Sequence, residues 1–227
     1  MSRVLVLLLA ATATILFAPM LEPTSSAAAV PLAPIAASVA LAPADIATLD
    51  TVNLDFATPQ LPDGWSLSSK AWKVEGGELR GVSDGMLEFA GPIADDFKLS
   101  FRAETSEKAN VEVKLYDAES GAELYTFAFL GRWHSVLDGV KCCMLRGGNF
   151  VAVDSKMWIF PGRRFTFEVR RAKGQMQMFL DGALGPFFVD PQPLVASKGI
   201  KLRLLVPTEG SKDKVVIDDV TLECAKP

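Results

Sequence analysis

From Asp50 to the C-terminus, apolar and polar residues alternate with a period of two, and no sustained period of 3.6 appears. Successive side chains of a strand point to opposite faces, so each alternating run offers one face to a core and one to water. Phe97, Leu99 and Phe101 alternate with Lys98, Ser100 and Arg102. Val111, Val113 and Leu115 alternate with Glu112, Lys114 and Tyr116. The pattern recurs over Phe165–Val169, Met176–Leu180 and Ile200–Leu204. Turn-forming residues separate the runs, among them Glu75-Gly76-Gly77-Glu78, Ala172-Lys173-Gly174 and Asp181-Gly182. In the last run Val215 and Ile217 hold one phase, Val220 and Leu222 the other. The slip at Asp218-Asp219 predicts a β-bulge. About ten or more antiparallel strands follow, and with them an all-β fold: an antiparallel β-sandwich or jelly roll.

The N-terminus has a different character. Arg3 precedes an apolar run from Val4 to Phe17, Pro19 breaks it, and Ser25-Ser26-Ala27-Ala28-Ala29 follows. A positive head, an apolar stretch and small residues are the parts of a secretory signal peptide. Residues 1–29 are read as that signal, and export to the periplasm or the medium is expected. The apolar run is short for a bilayer of ~30 Å, so no membrane insertion is expected after cleavage. Residues 30–49 are rich in alanine and carry Pro31, Pro34 and Pro43, which interrupt any helix. They read as an extended linker, and the sandwich domain as 50–227.

Composition excludes several functions. The formal charge of the 227 residues is −4, against the clustered Lys and Arg of a nucleic-acid binder. One histidine removes most zinc chemistry. His134 stands next to Ser135 and near Asp138, but adjacent side chains on extended backbone point apart, so these are no catalytic triad. The three cysteines are Cys142, Cys143 and Cys224. Export favours a disulfide from Cys142 or Cys143 to Cys224, with Cys143–Cys224 as the expected pairing and three reduced thiols as the alternative.

The segment 131–161 reads as a long irregular insertion, and such insertions in compact β domains are often functional. Arg132-Trp133-His134 within it is the strongest single cluster, suited to stacking on a sugar and hydrogen-bonding its hydroxyls. The competing reading has Trp133 plug the end of the sandwich. The solvent faces of the strands add Tyr116 as an aromatic and Glu112, Arg170 and Gln177 as planar hydrogen-bonding groups. An ordinary solvated face is the competing reading there. Trp158, beside Met157, Ile159 and Phe160, reads as core, as do Trp65 and Trp72.

Four stretches resemble the concanavalin A-like lectin/glucanase superfamily, most closely its laminin-G-type and 3-keto-disaccharide-hydrolase-type domains. They are Asp63-Gly64-Trp65 with Ala71–Leu79, Asp96–Arg102, Arg164–Gly182, and Ile217–Leu222. The resemblance implies a concanavalin A-like sandwich and an exported, lectin-like domain that recognises a glycan or a cell-envelope component. A glycoside-processing hydrolase and a structural or protein-binding sandwich are the alternatives. The Glu-x-Asp-x-Glu strand of the superfamily's glucanases is absent, so an enzymatic role has no residues to land on. The resemblance also implies a possible structural Ca²⁺ near the chain ends, with Asp218 or Asp219 as ligands and Asp55 as a further donor.

Overall fold

A computed structural model describes residues 49–82, 85–91, 93–106, 109–130, 141–207 and 214–225. The expected signal at 1–29, nearly all of the expected linker, and Arg132, Trp133 and His134 lie outside the described residues. Within them the chain forms only strands. In chain order these are β1 (Leu49–Leu54), β2 (Trp65–Leu67), β3 (Trp72–Glu75), β4 (Glu78–Val82) and β5 (Gly85–Phe89). Next come β6 (Phe97–Thr105), β7 (Val111–Asp117), β8 (Glu123–Phe129), β9 (Cys142–Arg146) and β10 (Asn149–Asp154). The last are β11 (Arg164–Ala172), β12 (Gln175–Leu180), β13 (Ala183–Val189), β14 (Ile200–Val206) and β15 (Lys214–Ala225).

Two antiparallel sheets stack as a sandwich. One runs β13-β12-β11-β6-β15-β4-β3, with β1 also paired to β15; the other runs β10-β9-β8-β7-β14-β5-β2. Tight turns join neighbours. Gly76-Gly77, Gly147-Gly148, Lys173-Gly174 and Asp181-Gly182 each place two successive residues at positive φ. That geometry matches the right-handed twist of the strands it joins.

Alternation does the packing. Val111, Val113 and Leu115 of β7 face Phe129, Phe127 and Tyr125 of β8 across the ladder, and all six are buried. Phe101 stacks on Phe167 within one sheet (centroids 5.1 Å), and Phe129 of the other sheet meets Phe167 edge-on at 4.9 Å. Each such side chain contributes roughly 1.5–3 kcal/mol by leaving water. Trp65 and Trp72 are core residues, as expected. So is the bulge: the β15–β6 register shifts between Asp218 and Thr221, and Asp219 adopts φ 50°. Val215 and Ile217 before the slip and Val220 and Leu222 after it therefore all point inward.

Two expectations are corrected here. Within the 131–161 segment expected to be irregular, residues 142–154 form a bulged hairpin, β9–β10, turning at Gly147-Gly148. The cysteines occupy strand positions. Cys142 lies opposite Phe129 and faces the core, whereas Cys143 lies opposite Ala128 and faces outward. Cys224 faces the core from β15 in the other sheet. The expected Cys143–Cys224 disulfide does not form, and all three thiols are free and buried. Burial, with the Glu112 carboxylate nearby, pushes the Cys143 thiol up to about 11.

Candidate functional site

The solvent-face residues singled out in the sequence do not converge. Glu112 and Tyr116 project from β7 on the outer face of one sheet, while Arg170 and Gln177 sit opposite each other on β11 and β12, on the outer face of the other. The two pairs are on opposite sides of the sandwich.

On the β7 side the charges neutralise one another. Lys114 Nζ lies 3.0 Å from Glu123 and 3.5 Å from Glu112. Burial would lower the Lys114 pKa, but the two carboxylates hold it above its ordinary value. Arg203 of β14 pairs with Glu88 at 2.5 Å and covers the Tyr116 ring at 4.1 Å. Tyr116 is thus capped by an internal cation. On the other side Arg170 pairs with Glu168 and lies over the Phe179 ring at 4.5 Å. Both faces are salt-bridged sheet surfaces.

The residues expected for Ca²⁺ are also committed elsewhere. Arg102 contacts Asp218 at 2.8 Å and Asp219 at 2.7 Å, and Arg164 approaches Asp218 at 3.7 Å. The Asp55 carboxylate accepts the Ala57 N–H at 3.0 Å. A cation at this bulge would have to displace a guanidinium, so these residues do not fit a Ca²⁺ site. Among the described residues no group of three or more His, Cys, Asp or Glu could hold a metal ion.

A depression of about 580 Å³ opens at one end of the sandwich, where the end of β10, the 155–163 connection and the β12–β13 turn meet. Its volume lies within the ~300–1,000 Å³ usual for small-molecule sites. The floor is aromatic. Trp158 and Phe160 are near-parallel, with centroids 6.1 Å apart, and Phe160 and Phe165 are near-parallel at 6.4 Å. Phe165 then meets Phe167 at 6.3 Å, so the floor is anchored in the main core. Trp158 is half-buried, while Phe160 is 46% and Leu184 57% exposed. The expectation that Trp158 belongs to the core is therefore corrected. Its neighbour Ile159 is the buried residue of that run.

Polar groups frame the floor and hold it rigid. Asp154 Oδ1 accepts the N–H groups of Lys156 (2.5 Å) and Met157 (2.9 Å), which sets the start of the connection. The Trp158 indole N–H donates to the Ser155 carbonyl at 3.1 Å, which fixes the ring. Asp181, in the β12–β13 turn, accepts the Thr166 N–H at 2.9 Å and pairs with Arg163 at 2.8 Å. Arg163 in turn covers the Phe165 ring at 4.5 Å. Met157 lies against Gly185 of β13, where an added Cβ would come within 2.4 Å of its methyl. The site is preorganised: Lys141 Nζ lies 4.5 Å over the Trp158 ring, Phe160 is partly exposed, and hydrogen-bonding groups form the rim.

No protein-family model matches the sequence, and neither does any curated protein. Solved structures do resemble the fold. The carbohydrate recognition domain of Emp47p superposes with a TM-score of 0.59 at 10% identity, covering 78% of this chain and 97% of that one. A protein of unknown function with a galectin-like fold from Bacillus subtilis gives 0.58 at 9% identity, covering 79% and 100%. A structure from work on endo-acting O-glycanases of the human gut microbiota that initiate mucin breakdown gives 0.56 at 12% identity, covering 77% and 99%. At such identities the likeness establishes the fold, a lectin/glucanase-type β-sandwich.

Proposed function

We propose that this lectin-type sandwich is a non-catalytic carbohydrate-binding module whose site is the depression floored by Trp158 and Phe160. The observation that carries the reading is the pair of stacked aromatic rings, half-buried Trp158 and exposed Phe160, lining a pocket with a polar rim. A pyranose offers a C–H face to such rings and hydroxyls to the rim, which is the division of labour expected of a small-molecule site. Fold analogy with the carbohydrate recognition domain of Emp47p supports the same class of ligand. The signal-like N-terminus supports export, and with it a glycan of the cell envelope or the surroundings as partner. The four quoted sequence stretches favour the laminin-G-type and 3-keto-disaccharide-hydrolase-type branches within the wider fold group.

Hydrolysis is the less favoured use of the same pocket. It needs one carboxyl as acid and another as base or nucleophile. Asp154 caps two backbone N–H groups, and Asp181 is held by Arg163 and by Thr166 N–H. Both are spent on holding the pocket together.

The test is a glycan-array screen, followed by calorimetry on the hits, with Trp158→Ala run beside the wild type. Loss of one aromatic stacking partner should weaken binding by about five- to 150-fold, for roughly 1–3 kcal/mol of contact. Hits should be recovered intact, without new reducing ends. Unchanged affinity in the folded Trp158→Ala variant, or steady cleavage of a bound glycan, would overturn the reading.

A further inference from the structure

With Lys141 beside it, the pocket brings together three cations, Lys141, Lys156 and Arg163, and two carboxylates, Asp154 and Asp181. Its lining includes Asp154, Asp181, Lys156 and Arg163. Arg163 is paired with Asp181. Asp154 accepts the backbone N–H groups of Lys156 and Met157, keeps its charge, and makes no ion pair among the described residues. Lys156 Nζ has no hydrogen-bond or ion-pair partner among the described residues. Lys141 adds a second such cation. Its Nζ lies 4.5 Å from the Trp158 ring centroid and meets no carboxylate among the described residues. Two ammonium groups without an ion-pair partner among the described residues thus border the same aromatic floor, on a protein whose net charge is −4. The salt-bridged sheet faces show what the alternative looks like: there every central Lys and Arg has its carboxylate.

From this arrangement we infer that the ligand is an anionic sugar, a pyranose carrying a carboxylate or a sulfate that Lys156 and Lys141 engage while its ring stacks on Trp158 and Phe160. The inference rests on the proposed carbohydrate-binding function and narrows it. A hydrogen bond to a charged group is worth more than a neutral one, so the acid should bind better than the same sugar with its charge removed. Within a pocket the attraction also remains sensitive to salt, because both ammonium groups reach solvent.

The test pairs each acidic probe with its neutral twin. Oligogalacturonate and oligoglucuronate are compared with their methyl esters, and sulfated galactose oligosaccharides with their desulfated forms. Calorimetry is run on the wild type, Lys156→Gln and Lys141→Gln at low and high salt. The expected result is an acid preference of about tenfold or more over the twin, for charge-assisted against neutral hydrogen bonds. That preference should fall in each variant and with added salt. The ester and sulfate pairs show which anion is taken. Equal or tighter binding of the neutral twins would overturn the inference and leave the proposed function standing, as would an acid preference unchanged in both variants. No binding across both sets, by protein shown to be folded, would overturn both.

Discussion

Gly85→Ala should destabilise this sandwich about as much as a large truncation of its core. Trp72 of β3 lies between Gly81 of β4 and Gly85 of β5, strands of different sheets. A Cβ built on Gly85 would stand 1.8 Å from indole Cε2 and Nε1; on Gly81 the nearest approach is 2.4 Å. Carbon atoms settle near ~3.5 Å, so the ring would have to retreat by about 1.7 Å from Gly85. At 3% exposure it has no free space to enter. Neither glycine has positive φ, so backbone strain contributes nothing and the clash decides the outcome. Relief of glycine's chain entropy offsets only about 0.5–1 kcal/mol. Expelling a buried Trp costs ~3–5 kcal/mol. The expected net loss is about 2–4 kcal/mol, or roughly 5–15 °C in Tm for a domain of this size. Gly81→Ala should cost less. Urea unfolding followed by far-UV circular dichroism, with an unchanged m-value, measures the loss. In a double-mutant cycle, Trp72→Leu should absorb much of the Gly85→Ala penalty. A Gly85→Ala midpoint equal to wild type, or strictly additive penalties in the cycle, would refute the claim that the indole occupies this slot.

Other expectations follow from single residues. Asp117 accepts N–H groups of Ser120 (2.8 Å), Ser197 (2.6 Å) and Glu119 (2.9 Å), which holds its carboxyl well below the usual aspartate range. A lowered native pKa contributes stability that is complete above the unfolded value near 3.8 and is lost as pH falls through the native one. Asp117→Asn should therefore be less stable than wild type at pH 7, with the gap closing below about pH 4, as acid-titrated unfolding would show. The free thiols make reductant irrelevant: urea curves with and without dithiothreitol should superimpose, and a thiol reagent at pH 7.5 should label the native protein slowly and all three cysteines once unfolded. Glu112→Gln and Tyr116→Phe, on the salt-bridged β7 face, should leave glycan affinity within about twofold, since neither lines the pocket; calorimetry checks this.

The sheets were legible because period-two alternation is a direct imprint of a two-layer core. It marked β6, β7, β11, β12 and β14, and the phase slip in β15 marked the bulge at Asp218-Asp219. Where the imprint is interrupted, strands were missed. In β13, Gly185 and Pro186 break the pattern, and an edge strand tolerates a proline because one of its sides needs no partner. In β9, vicinal cysteines resemble a chemical motif, yet they behave as two small apolar residues on opposite faces. The site was harder to see. Alternation shows that Glu112 and Arg170 face solvent, but strand order decides which side of the sandwich each occupies. Met157-Trp158-Ile159-Phe160 looks like core because all four are apolar. Only the distant β12–β13 turn, arriving beside them, leaves Trp158 and Phe160 to form the floor of an open pocket while Ile159 is buried.

Backbone amide shifts map a ligand without presupposing its site. Uniformly ¹⁵N-labelled protein would be titrated with the best-binding oligosaccharide and followed by ¹H–¹⁵N correlation spectra, with the Trp158 indole N–H as an added reporter. Saturable shifts should concentrate at residues 154–165 and 181–184 and at that indole. Shifts centred instead on β7 and β14, around Tyr116 and Arg203, with the Trp158 indole unmoved, would contradict the proposed site.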